Sequence, residues 1–242
     1  MPDRPTKLAF APLLLAQALW VRRRALILPE PSGARQGRLG NGPPLRLLIL
    51  GDSSAAGVGA ETQAQALSGQ LTTHLAPHFT VEWHLQAITG ATTRSTLRDL
   101  HALPVQQFDV AVIALGVNDI THGAFLRGWL RDQDQMLDLL ADKFDATQIH
   151  VCGLPPMARF PLLPQPLRWV LGRQALRFDA ALQAQVSRRA GAEHIAFDIP
   201  FDARLMAPDG FHPGPEAYRR WGAALAQRIA DQWQGTSAVE GA

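Results

Sequence analysis

Four short stretches of this 242-residue chain hold side chains whose chemistry fits together. Gly51-Asp52-Ser53-Ser54 carries a hydroxyl, Thr89-Gly90-Ala91 an unobstructed backbone N–H, Gly116-Val117-Asn118-Asp119 a carboxamide, and Asp209-Gly210-Phe211-His212-Pro213 an Asp–His pair. A hydroxyl beside a base makes a nucleophile, and N–H donors can hold the oxyanion that such a nucleophile creates. The Gly51–Gly59 turn alone is a weak signal. Glycine-rich turns after strands also cradle phosphate, but no Lys occurs between Lys7 and Lys143, and the P-loop pattern is absent. The G-x-S-x-G elbow is absent too, because Ala55 stands at its last glycine position.

The elements around these stretches say where they must lie. Leu45–Leu50 is an apolar run closed by Gly51, and Val110–Leu115 is another. Unbroken runs of this kind suit strands covered on both faces. Val81–Ile88 alternates, with Trp83 on the buried side, and Ile149–Gly153 and Ile195–Ile199 complete a set of five strands. Helical patterns fall between them at 62–75, 93–103, 124–140 and 167–189, and a last one runs over 215–233. Five strand–helix units predict a three-layer α/β/α sandwich on a five-stranded parallel sheet. Ligands in such sheets bind beyond the carboxyl ends of the strands, where the chemistry-bearing stretches fall.

The four blocks, in this order, resemble those of the SGNH, or GDSL-type, serine hydrolases. Ser53, Gly90, Asn118 and His212 match the four residues of the family's name, and G-x-N-D followed far downstream by D-x-x-H-P is the most specific part. Ser54 stands where the family name has Leu. The resemblance covers about residues 45–233 and implies a flavodoxin-like topology and an ester- or thioester-cleaving enzyme without cofactor or metal. Ser53 is then the nucleophile, His212 its general base and Asp209 the group that fixes the imidazole tautomer. The backbone N–H groups of Ser53 and Gly90 and the Asn118 amide make an oxyanion hole. Asp52 and Asp119 read as turn braces rather than proton donors. Carbohydrate O-deacetylation and a catalytically silent membrane-associated module are the alternatives.

Other residues are weighed against blander roles. Leu154–Val170 holds five prolines and several large apolar side chains on the active-site side. It reads either as a rigid connector or as an acyl wall, with Met157 and Phe160 as substrate contacts and His122 as a further lining residue. Cys152 reads as a buried small hydrophobe.

Charge is uneven. Residues 1–45 hold seven Lys/Arg against two Asp/Glu, leaving +5, while the remaining sixteen against nineteen leave −3. No uniform basic face for nucleic acid is indicated. Residues 1–44 read as an apolar, basic N-terminal segment with a linker at 31–44, and residues 234–242 as a tail. The apolar stretch 8–21 is too short to span a bilayer, which takes about 20 residues. With Arg22, Arg23 and Arg24 after it, residues 8–24 suggest either a helix packed on the domain or a peripheral membrane contact. A cleaved signal is disfavoured by those arginines, so a cytoplasmic or peripherally membrane-associated protein is expected over a secreted one.

Overall fold

The computed structural model describes residues 4–198 and 202–240. In chain order the elements are α1 (Arg4–Arg24), β1 (Gln36–Leu39), β2 (Pro44–Gly51), α2 (Ser53–Ala56), α3 (Leu67–Leu75), β3 (Thr80–Ala87) and α4 (Thr93–Ala102). Then follow β4 (Val110–Ala114), α5 (Val117–Thr121), α6 (Leu126–Asp142), β5 (Gln148–Cys152), α7 (Leu167–Val186), β6 (Ala192–Ile195) and α8 (Pro215–Glu240).

The strands form one sheet in the order β1-β3-β2-β4-β5-β6. The five from β3 to β6 pair in parallel, in the flavodoxin-like order expected. Along β2 and β4 successive side chains point to opposite faces. Leu48, Leu50, Ala111 and Ile113 pack under α4, α6 and α7, whereas Leu47, Ile49, Val110 and Val112 pack under α3 and α8. Burial on both faces is why these strands read as continuous apolar runs.

Two expectations about the strands are corrected. The sheet has six strands, because the stretch read as a linker contributes β1, antiparallel to β3 at the edge. Its composition hid it. Gly37 sits opposite Trp83, whose indole covers it so closely that a Cβ there would lie 2.4 Å from the ring. Trp83 is accordingly half-buried rather than a core residue. The other correction concerns the strand expected at 195–199, which runs instead over Ala192–Ile195, with Ile199 outside the described residues. The helix expected at 62–75 is also broken: Ala66 is extended, so a short 3-10 turn precedes α3.

One buried hydroxyl ties together the helices that carry the site. Thr93, at the start of α4 and fully buried, donates through Oγ1 to Asp119 Oδ2 at 3.0 Å. The same oxygen accepts from Trp129 Nε1 and Gln133 Nε2 of α6, each at 3.0 Å. The Thr93 backbone N–H also donates to Asp119. Asp119 neighbours Asn118, so this cluster fixes α5 against the Gly90 turn. Thr93→Val strands the donors of Trp129 and Gln133, and we predict a loss of about 2–4 kcal/mol in urea unfolding. Thr93→Ser keeps the hydroxyl and should lose clearly less. Equal losses would show that the methyl group, not the hydrogen bonds, matters.

Candidate active site

The nucleophile position is made by the end of β2. Asp52 leaves the strand extended and caps α2, its Oδ1 accepting from Ser54 N at 2.9 Å. This cap turns the chain so that Ser53 opens a helical turn at the carboxyl edge of the sheet. Ser53 Oγ lies 2.8 Å from His212 Nε2, although 159 residues separate them. His212 Nδ1 lies 2.5 Å from Asp209 Oδ2. Asp209 Oδ1 in turn accepts from the backbone N–H groups of Phe211 and His212 at 2.9 and 3.0 Å. Burial pushes the Asp209 acidity weaker, but the imidazole and these two backbone donors outweigh it and hold the carboxyl below its usual range. Hydrogen-bond reach along Ser–His–Asp, with the acid on Nδ1, lets Nε2 take the hydroxyl proton.

The histidine loop is clamped onto the nucleophile turn. Tyr218, buried at the start of α8, donates its hydroxyl to Val58 O at 2.7 Å. Gly59 sits at φ +104, and a Cβ there would lie 2.2 Å from Pro213 O. Only glycine fits both that backbone conformation and that approach.

Two of the three expected oxyanion donors stand ready. Among the described residues, neither the Ser53 nor the Gly90 backbone N–H is spent on a protein acceptor. Gly90 has φ +83, and nothing lies within 4 Å of where its Cβ would be. The glycine is required there by conformation, and the space above it is open. Asn118 is placed beside them but differently engaged. Its Nδ2 donates to Ala91 O at 3.0 Å and, more weakly, to Asp52 Oδ2 at 3.3 Å. Donation to an oxyanion would have to be shared with or taken from the longer Asp52 contact.

The Gly90 turn is braced by residues expected to be outside the domain. Glu30 Oε1 accepts from Thr89 N at 3.0 Å and Thr89 Oγ1 at 2.6 Å, and Arg35 bonds both Glu30 and Ala87 O. Residues 30–39 therefore belong to the folded body and support the site, which corrects the boundary expected at 44. No local pattern announces this brace, because its partners are 59 residues apart.

Beside the triad lies an apolar cavity lined by Leu115, Leu154, Phe160, Met206, Phe211 and Trp221, among others. The chain neighbours of Ser53, Asn118 and His212 (Asp52 and Ser54, Val117, Phe211 and Pro213) also line it. Phe160 packs edge-on against Phe211 at 5.0 Å, and Phe211 edge-on against His212 at 5.2 Å. The Leu154–Val170 stretch thus supplies a wall, through Leu154, Pro155 and Phe160. Met157 does not contribute: it is fully buried in the core under α7. His122 does not either. It is exposed at the end of α5 and shares a separate depression with Arg94 and Asp119. Cys152 lines the cavity, but burial pushes its thiol up to about 12, so it is no nucleophile at neutral pH.

A Ser–His–Asp triad beside N–H donors, on the carboxyl edge of a parallel sheet, defines a class of acyl-transferring hydrolases. The chain belongs to one such family of ester-hydrolysing enzymes, the GDSL-like Lipase/Acylhydrolase family, whose pattern matches residues 49–220. No curated protein sequence matches the chain. Among solved structures, the psychrotrophic esterase EstA from Pseudoalteromonas sp., in a form inhibited by monoethylphosphonate, is similar at 21% identity and TM-score 0.61, over 78% of this chain and 98% of that one. A carbohydrate esterase family 2 enzyme from Corynascus thermopiles (Myceliophthora fergusii) aligns at 16% identity and TM-score 0.63, over 79% and 67%. A lipase/acylhydrolase from Enterococcus faecalis aligns at 19% and 0.55, over 78% and 96%. At these identities the structures support the fold alone.

Burial raises the Asp52 carboxyl to about 6, against the pull of the Ser54 N–H and of His212. An acid whose folded pKa is raised favours folding in its protonated form. Its contribution is present below about pH 4 and is lost as pH climbs through about 6. Asp52→Asn cannot ionise. The variant's stability relative to wild type should therefore shift in its favour by about 2 kcal/mol between pH 4 and 7. Parallel urea-unfolding curves for the two proteins would check this, and a constant difference across that range would contradict it.

Proposed function

We propose that this enzyme cleaves carboxylic esters, including thioesters, of short- to medium-chain or lipid-like acyl groups through an acyl-enzyme on Ser53. The observation that carries the mechanism is the 2.8 Å contact between Ser53 Oγ and His212 Nε2. Ser53 Oγ bonds to the substrate's carbonyl carbon while its proton passes to His212 Nε2. Asp209, on Nδ1, stabilises the imidazolium that results. The carbonyl oxygen, now an oxyanion, is held by the Ser53 and Gly90 N–H groups and by Asn118. Collapse breaks the ester C–O bond (C–S in a thioester), and the leaving group departs with the proton from His212. Water, deprotonated by the same nitrogen, then attacks the acyl carbon and releases Ser53 and the acid.

The cavity wall favours an acyl chain over a sugar. Its lining is mainly apolar, with Leu, Met, Phe and Trp supplying the large side chains, and the edge-on Phe160–Phe211 pair borders the catalytic histidine.

Hydrolysis of p-nitrophenyl esters from acetyl to palmitoyl tests the reading. We expect kcat/KM to rise from acetyl to a medium-chain optimum and to vanish in Ser53→Ala. Asn118→Ala should lower kcat by about 100-fold or more. Phe160→Ser should weaken medium-chain esters more than acetyl ones. Full activity in Ser53→Ala would overturn the mechanism. An acetyl optimum unchanged by Phe160→Ser would overturn the acyl wall and favour an O-deacetylase.

A further inference from the structure

We propose that α1, together with the exposed start of α7, docks this enzyme on an anionic lipid bilayer. Helix α1 meets the body along one narrow seam. Leu14 and Val21 pack against the core, and between them Gln17 exchanges hydrogen bonds with Gln165 O and Leu167 N at the start of α7. At about 100° per residue, Leu15 and Leu19 lie on the arc facing away from that seam, while Leu13 and Trp20 lie on its flank. All four are exposed, Leu15 by 63% and Trp20 by 48%. Large apolar side chains left exposed along a helix stabilise nothing in the isolated protein, and a cluster of them marks an interaction surface.

Charge decides the occupant. Arg22, Arg23 and Arg24 fill the last turn of α1, next to Leu19 and Trp20, and Arg24 stacks on Trp20. No Asp or Glu occurs in α1. A few residues beyond the Gln17 junction, α7 repeats the pattern, with exposed Trp169, Arg173, Leu176 and Arg177 and with Arg173 over the Trp169 ring. The only acid within that part of α7, Asp179, is turned inward onto His194 and Leu154 N. A second copy of the chain would offer these arginines no carboxylate on this surface, whereas an anionic bilayer offers both an apolar interior and negative headgroups. The helix lies on such a bilayer and does not cross it, since no described helix is long and apolar enough to span one. The Leu154–Val170 stretch bears the cavity wall at one end and the α1 seam at the other, so docking would hold the cavity near the lipid surface.

The docking surface does not depend on the catalytic reading, and vesicle binding separates the two. The full chain should co-sediment with phosphatidylcholine vesicles containing 30% phosphatidylglycerol, and clearly less with pure phosphatidylcholine. Replacing Arg22, Arg23 and Arg24 by Gln should weaken that binding by about 100-fold, at roughly fivefold per arginine. Leu15→Ser with Leu19→Ser and Trp20→Ser should abolish it. Hydrolysis of soluble p-nitrophenyl acetate should stay unchanged in both variants, which shows that they fold. Absence of wild-type binding, or equal binding to both vesicle types, would overturn the proposal. So would a wild-type dimer that the apolar variant converts to monomer without any vesicle binding.

Discussion

The site depends on one constraint: a loop near the C-terminus must be pressed onto a turn made 159 residues earlier closely enough for an imidazole to reach a hydroxyl. A displacement of a single ångström would break the proton path. The protein meets this with contacts that have no other evident purpose. Tyr218 bonds Val58 O, and the absent side chain of Gly59 lets Pro213 O come close. Within the loop, Asp209 holds its own backbone as well as the imidazole, so one carboxylate both shapes the loop and orients the ring. The sheet supplies the rigid platform, with Ser53 leaving its second strand and Asn118 following its fourth.

A second level of order surrounds this contact. Three acids stand beside the catalytic groups without sharing their chemistry. Asp52 caps the nucleophile turn and reaches Asn118, Asp119 gathers Thr93 and through it α6, and Glu30 holds the turn that carries Gly90. Each accepts two or more N–H or O–H donors, and for Asp52 and Asp119, which are buried, these keep the charge from being prohibitive. Asp52 is the least compensated, and burial leaves its acidity well weakened. That cost sits directly beside Ser53, where local strain and desolvation are commonly retained for function.

How much of this was legible in the sequence follows from the range of each interaction. The five parallel strands were readable because burial on both faces leaves an unbroken apolar signature, as in Val110–Ala114. Ser53, Asp209 and His212 each sit in a short pattern that chemistry restricts, and Asp52 and Asp119 hold the turns beside Ser53 and Asn118 as their positions suggest. The edge strand β1 was hidden by Gly37, which is there to accommodate Trp83 rather than to break a strand. The Glu30–Thr89 brace was hidden because it joins two unremarkable residues from distant parts of the chain. Met157 and Phe160 lie three residues apart in one apolar stretch, and composition could not say that the first turns into the core and the second into the cavity. His122 follows Asn118 closely in sequence, but the short helix α5 carries it out to the surface.

The most direct test of the central contact is covalent capture of the hydroxyl that His212 is held to activate. The intact protein is treated with a fluorophosphonate, and the adduct is mapped by mass spectrometry. A hydroxyl activated by an adjacent base attacks phosphorus as it attacks a carbonyl. One adduct per chain, on Ser53, formed at a rate that falls sharply in His212→Ala, is the predicted result. An adduct elsewhere, or an equal rate of Ser53 labelling without His212, would contradict the account.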